Sequence, residues 1–449
     1  MALKQGRQYL YIVRHPLPWC GSRRVQWLSF SVPRSSAPLQ LRNKVTSRWT
    51  ARRGHPAAHD RSVAEQAGQP EPPDGSRVPS DGSSTDDTRS PLERFRTKPQ
   101  KPLSVTDLVS PAWCELQYWF VLTKYGRKPR TTAMKQGSKV HRELEEQVHV
   151  FVPVETRSNE DRFALRLWNT ISGLRTLRET GLTRELEIWG VIEGQVVNGV
   201  IDELSYTSPD PAFEDALAKP GKVDAHGQTT IEFAFANAEG NGKGPTGDQT
   251  PKHTVYIADV KTRGVKTVPA GPSLRPTWMQ LMLYRKLLGS LASNGVDADT
   301  VFGRYDLQPL SHFTDTFLAE FTGSSGELSE LHSYNNLSSL WSLMVTEFSE
   351  TVGAVSDILR AEFRYSRSGE VIGSELFVYD AVAIDEYTSK EMSWWKGKRE
   401  AVGVEVEEAF KCRVCDFAEE CTWRKNKIEE ATEKHRQRIA ARTHAALKG

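Results

Sequence analysis

"TVYIADVKTR", residues 254–263, is the stretch on which the reading of this chain turns. It reads as a β-strand, and its end carries Asp259-Val260-Lys261. Side chains alternate along a strand, so Asp259 and Lys261 share a face. Upstream, "RELEIWGVIEG" and "QVVNGVIDELSY" are β-rich runs broken by Glu-Gly, the pattern of a hairpin. The second run brings Asp202 to the end of an apolar strand, while Glu203 is expected to point to the opposite face. "TTIEFAFA" (229–236) reads as another strand, followed by a solvated insertion up to the Asp259 strand.

The flanks of these strands are helical. Apolar spacing predicts helices in "SVTDLVSPAWCELQYWFVL", from about Met134, and from Arg275 to about Ser293. Residues 310–365 read as mostly helical, "SELFVYDAVAI" as a strand, and "DEYTSKEMSWWKGKREA" as a helix leading into a cysteine-rich segment. The order predicts an α/β fold, a mixed central sheet flanked by helices.

Two carboxylates and a lysine converging on Mg²⁺ are the minimal apparatus for phosphodiester hydrolysis. Other pairs extend the set. His141 and Glu145 are four apart on one helix, with Gly137 one turn earlier, and His141 could be a further metal ligand. Gln280 and Tyr284, also four apart, suit contact with a phosphate or base and suit core hydrogen bonding equally. Arg263, Lys266 and Arg275, with "WWKGKRE" (394–400) and "TWRKNK" (422–427), could line a path for unpaired nucleic acid; capping of the core by the tryptophans is the competing reading.

Charge is unevenly spread. Residues 1–59 hold eleven Lys or Arg and no Asp or Glu, which leaves 48 basic against 57 acidic residues in 60–449. The body is mildly acidic, so nucleic-acid contact must rest on local basic patches. The Arg- and Ser-rich, acid-free 1–59 has the composition of a mitochondrial presequence, with a nucleic-acid-binding arm or a nuclear address as alternatives. Removal of that segment would take Cys20 with it. Residues 60–100, dense in Pro, Gly, Ser and Asp, read as a disordered linker, 101–430 as the folded domain and 431–449 as a basic helical tail.

"GSKVHRELE", "VNGVIDEL", "ADVKTR" and "QLMLY", in that order, resemble the four motifs of RecB-type nucleases of the PD-(D/E)XK superfamily. The closing "WWKGKREAVGVEVEEAFKCRVCDFAEECTWR" is similar to the end of exonuclease V. The resemblance spans roughly 101–425. It implies a restriction-endonuclease-like core with helical insertions, Mg²⁺ on Asp202 and Asp259, Lys261 as the catalytic lysine, and His141 assisting the metal. Gln280 and Tyr284 would place the DNA strand. The insertion before Asp259 lengthens the usual spacing between the two acidic strands.

"KCRVCDFAEEC" (411–421) holds three cysteines, one fewer than a tetrahedral zinc or a four-iron cluster normally takes. The resemblance supplies the fourth, Cys114, and implies a [4Fe–4S] cluster on Cys114, Cys412, Cys415 and Cys421. Zinc would accept the same thiolates, but its common sites pair two Cys-x-x-Cys knuckles and this segment has one. A reducing compartment disfavours disulfides. The expected protein is a monomeric, Mg²⁺-dependent exonuclease on single-stranded DNA in the mitochondrial matrix. A nuclear pool and a single-strand-binding protein as partner are further expectations. The competing readings are a catalytically inactive DNA clamp of the same fold and a zinc-stabilised adaptor.

Overall fold

The computed structural model describes residues 8–13, 87–126, 131–218, 253–321 and 330–446. The expected strand at 229–236, most of the insertion after it, and Cys20 lie outside the described residues. No described helix is long and apolar enough to cross a membrane.

The first element, β1 (Gln8–Val13), lies within the acid-free N-terminal segment. Description resumes at Asp87, ahead of the expected start of order near Pro102. There Ser90 and Glu93 form a reciprocal capping box that starts α1 (Pro91–Phe95). After β2 (Leu103–Ser104), Ser104 and Asp107 repeat the device on α2 (Val105–Val109). Then come α3 (Glu115–Tyr125), α4 (Thr132–Glu145) and β3 (His149–Val154). The long α5 (Asn159–Thr180) ends at Gly181, whose φ of 80° is left-handed. The predicted hairpin follows as β4 (Leu182–Ile192) and β5 (Gln195–Ser205). Its two-residue turn, Glu193-Gly194, has positive φ at both positions, as the right-handed twist of the flanking strands favours.

Helix α6 (Pro211–Ala218) precedes β6 (Thr254–Arg263), the opening strand of the sequence argument. The remainder is α7 (Arg275–Ala292), α8 (Ala298–Tyr305), α9 (Asp315–Ala319), α10 (Leu337–Thr351), β7 (Ala354–Tyr365), β8 (Val371–Val378), α11 (Ala381–Trp395) and α12 (Thr422–Ala446). Strand β7 corrects the expectation of helix through residue 365. Its "SDILRAEFR" is rich in helix formers. Parallel pairing with β6 on one side and antiparallel pairing with β8 on the other override that local preference.

The mixed sheet flanked by helices is therefore present. Six strands run in the order β2-β5-β6-β7-β8, with β4 on the other edge of β5, and β1 and β3 form a separate antiparallel pair. The central feature is how β5 divides its second edge. Strand β2 takes Val197 and Asn198, β6 takes Glu203 to Ser205, and Gly199–Asp202 between them pairs with neither. That gap is filled from above by Val105 and Tyr284, which leave no room for a side chain at residue 199: a Cβ there would lie 2.7 Å and 2.8 Å from them. Helices α5 and α7 both pack on β4, and α7 also reaches β6 and β7. Trp189, Leu281, Leu288 and Leu359 are buried in the core they share.

Candidate active site and cysteine cavity

The carboxylates meet where β5 and β6 part. The last paired residues there are Glu203 and Ala258, so Asp202 and Asp259 are the first to stand opposite each other without a ladder bond. Asp202 Oδ2 accepts instead from the Val260 N–H at 2.7 Å. Asp259 is fully buried, and Lys261 Nζ lies 2.6 Å from its Oδ2. Otherwise neither Asp259 oxygen has a hydrogen-bond partner among the described residues. Lys261 Nζ also donates to Gln280 Oε1 at 2.8 Å, and Gln280 Nε2 donates to the Tyr284 hydroxyl at 3.0 Å. The predicted face-sharing of residues 259, 261, 280 and 284 thus becomes one connected chain.

Helix α4 brings His141 to the same point. Gly137 permits its approach, because a Cβ there would meet Thr262 Oγ1 of β6 at 2.6 Å. His141 Nδ1 stands 3.2 Å from Glu185 Oε1 and 3.7 Å from Asp202 Oδ1. Ligand atoms of His141, Glu185 and Asp202 all lie within 4.8 Å of one another. Glu185 was not singled out from the sequence. It occupies the one position of β4 between Leu182 and Ile192 that makes no ladder pair with β5, directly across from Asp202, and its φ is +53°. A non-glycine residue held in that region costs on the order of 1–3 kcal/mol, which marks the position as imposed by its surroundings. Glu203 turns the other way, as expected, between Arg184 Nη2 at 2.6 Å and Arg360 Nη2 at 2.8 Å.

The electrostatics follow from crowding acids in a buried place. Burial, with Asp202 adding to it, pushes Asp259 up to about 7 although Lys261 pulls the other way. Burial likewise raises Asp202. Burial disfavours the charged forms of Lys261 and His141, but the facing carboxylates outweigh it and raise both. Burial and then the Glu185 charge lift Glu145, one turn after His141, to about 7. A buried cluster of acids that repel one another is the environment a divalent cation relieves. A cavity of about 640 Å³ opens over it, lined by His141, Glu145, Glu185, Asp202, Lys261 and Gln280.

The family model described as exonuclease V, a 5′ deoxyribonuclease, matches residues 90–424. The chain belongs to the exonuclease V family. It is similar to exonuclease V of Danio rerio, with 26% identity over 342 residues covering 76% of this chain and 74% of the relative. The mitochondrial exonuclease V of Candida glabrata is 24% identical, covering 74% of this chain and 81% of its own. That of Eremothecium gossypii is also 24% identical, over 73% and 77%.

In this exonuclease V chain the four expected cysteines come together from both ends of the domain. Cys114, Cys412, Cys415 and Cys421 are all free, half-buried and line one cavity. Cys114 Sγ accepts from Gln117 N at 3.4 Å and caps α3; Cys421 Sγ accepts from Arg424 N at 3.5 Å in the first turn of α12. Burial, reinforced by the other three thiols, raises Cys114 to about 11. Four sulfurs about 2.3 Å from one zinc would stand about 3.8 Å apart. Among the described residues no three cysteine sulfurs lie within 4.8 Å of one another.

The strand-placing residues fare less evenly. Gln280 lines the cavity over the carboxylates, whereas Tyr284 is buried and is reached only through its hydrogen bond with Gln280. Arg263, at the end of β6, is outside that lining, and its Nε is buried without a hydrogen-bond partner among the described residues. Trp394 and Trp395 correct the stacking expectation: both are in the core, edge-on to Tyr118, where an apolar interior holds them more firmly than solvent would.

Proposed function

We propose that this chain is a Mg²⁺-dependent exonuclease that digests single-stranded DNA in mitochondria. The observation that carries the reading is the fork of β5 and β6, where Asp202, Glu185 and His141 converge beside the buried Asp259–Lys261 pair. Asp202 and Asp259 would hold the metal, with His141 and Glu185 completing or orienting its shell. Bound there, Mg²⁺ supplies charge neutralisation at the scissile phosphate and a water that ionises near neutral pH. Lys261, kept protonated by Asp259 and Asp202, presents its Nζ protons to the phosphate and the attacking water. Gln280, fixed by Tyr284, holds that ammonium in place. The products expected are short nucleotides ending in 5′-phosphates. The connected acids and lysine favour a working enzyme over an inactive clamp, which has no need of them.

The four cysteines are read as the ligands of a [4Fe–4S] cluster that joins α3 to the C-terminal segment, a reading supported by their lining one cavity from both ends of the domain. The yeast relatives' names support mitochondrial action; the matrix as its place and the basic N-terminal segment as the address belong to the reading. A monomer working beside a single-strand-binding protein, with a further nuclear pool, completes the reading.

The test is Asp259→Asn, which keeps shape and removes charge. Loss of cleavage with an unchanged melting temperature and unchanged iron content is the expected outcome; retained cleavage removes Asp259 from the mechanism. Iron, sulfide and zinc analysis of anaerobically purified protein tests the cluster. About four irons and four sulfides per chain are expected, and stoichiometric zinc would sink that part.

A further inference from the structure

The acid-free N-terminal segment contributes Tyr9 to the lining of the catalytic cavity. Strand β1 pairs along the whole of β3, from Gln8 opposite Val154 to Val13 opposite His149. Its inward face is seated: Leu10 is 2% exposed in the main core, and Ile12 packs on the same core. Asn169 of α5 fastens the backbone, accepting from Tyr11 N at 3.0 Å and donating to Tyr9 O at 3.0 Å. A leader carried along for its address alone would not need this fit.

Alternation turns Tyr9 and Tyr11 to the other face. Tyr11 stacks on His149 at 5.4 Å, stands edge-on to Phe151, and its hydroxyl faces Glu145. Tyr9 is edge-on to Phe151 at 6.1 Å, remains 37% exposed, and lines the cavity that holds His141, Glu185, Asp202 and Lys261. Phe151 and Arg142 line it too, with the Arg142 guanidinium 5.4 Å from the Phe151 ring centre. Arg142 is paired with Glu146 at 2.8 Å, an exposed pair that a phosphate could exchange.

We propose that Tyr9 and Phe151 form a stacking wall for an unpaired base next to the phosphate held at the carboxylates, and that residues 8–13 therefore belong to the working enzyme. The inference rests on the single-strand DNA nuclease reading. It follows from chemistry: an exposed aromatic face takes any base without regard to sequence, and a cation beside it follows the backbone. Trp394 and Trp395, the aromatics first expected to meet bases, are buried and offer no such face.

The experiment is steady-state cleavage of single-stranded oligonucleotides in which an abasic residue is walked through the terminal nucleotides. With the full chain, KM is expected to rise about five-fold or more at one abasic position. Tyr9→Ala and Phe151→Ala should raise KM on intact DNA by a like factor, keep kcat, and no longer distinguish the abasic substrate. Tyr9→Phe should behave as the parent. Parental KM and parental abasic discrimination in Tyr9→Ala would overturn the proposal. So would a fall in melting temperature with equal losses on every substrate, which would make Tyr9 a packing residue. Parental Tyr9→Ala beside a parent that cleaves single-stranded DNA strikes the wall alone; a parent chain that cleaves no single-stranded DNA with Mg²⁺ strikes the nuclease reading and the wall with it.

Discussion

The carboxylate fork and the cysteine cavity are built on opposite plans. The fork is made within the sheet, by strands that stop pairing at one point, and its acids are placed by backbone register. The cysteine cavity is made at the margin, from the start of α3 and a segment almost 300 residues later. Its cysteines cap helices and line turns there. The fork gathers carboxylates in a buried place, with Asp259 lifted to about 7; the cavity gathers four half-buried cysteines. Under the proposed function, such a contrast separates a site for chemistry from a site for holding. A catalytic centre tolerates local instability because the rest of the fold fixes it. A staple has to gather distant parts of the chain against their entropy.

Substitutions can break that division. The largest effect is expected from Lys261→Met, a loss of about 10²–10³ in kcat with folding intact; a small effect on kcat would move the chemistry elsewhere. Cys114→Ser is expected to do the reverse, losing bound metal and lowering the melting temperature. If it abolishes cleavage while leaving metal content and melting unchanged, the two sites are not divided as described. Glu185→Gln sharpens the first half. It should weaken Mg²⁺ activation by about 10- to 100-fold, as loss of a group that orients a metal shell does. Saturating Mg²⁺ should restore kcat, and a titration of rate against Mg²⁺ reads both.

The smallest effect concerns the margin beside Cys114. Burial and the neighbouring Glu115 raise Glu391 to about 8. In the unfolded chain this group ionises near about 4.3. Between those values the folded protein binds the extra proton, so stability falls as pH rises from about 5 to about 8. Glu391→Gln removes that slope. Melting curves across the range should be flatter than the parent's and higher at the alkaline end; parallel curves would show that Glu391 does not titrate there.

Much of the fork was legible because its residues come in short local pairs. A strand period puts Asp259 with Lys261, and a helix period puts Gln280 with Tyr284, whatever the rest of the chain does. Glu185 was not legible. Its place depends on which residue of β5 lies opposite and on a backbone that turns to positive φ, and neither is written in its neighbours. Trp394 and Trp395 show the converse limit: aromatics beside lysines suit a nucleic-acid surface or a core lid, and burial decides only once α11 has packed. Strand β7 was misread because its residues favour helix until β6 and β8 pair with it. Strand β1 was hidden by composition, since an acid-free basic segment reads as an address before it reads as structure.

The hold on α3 by the C-terminal segment has a consequence for synthesis. Glu115, buried at the start of α3, receives both arms of Arg399 at 2.6 and 2.7 Å and the Val402 N–H at 2.7 Å. Lys411 then closes on the Trp113 carbonyl at 3.0 Å. At roughly 5–20 residues per second on the ribosome, α3 waits about 15 seconds to a minute for these partners. A nascent chain released early keeps Glu115 without them and is expected to be clipped by protease near α3, while the finished chain resists. The hold on α3 therefore forms only once residues 399–411 have been made, and chains that stop before them are expected to lack it.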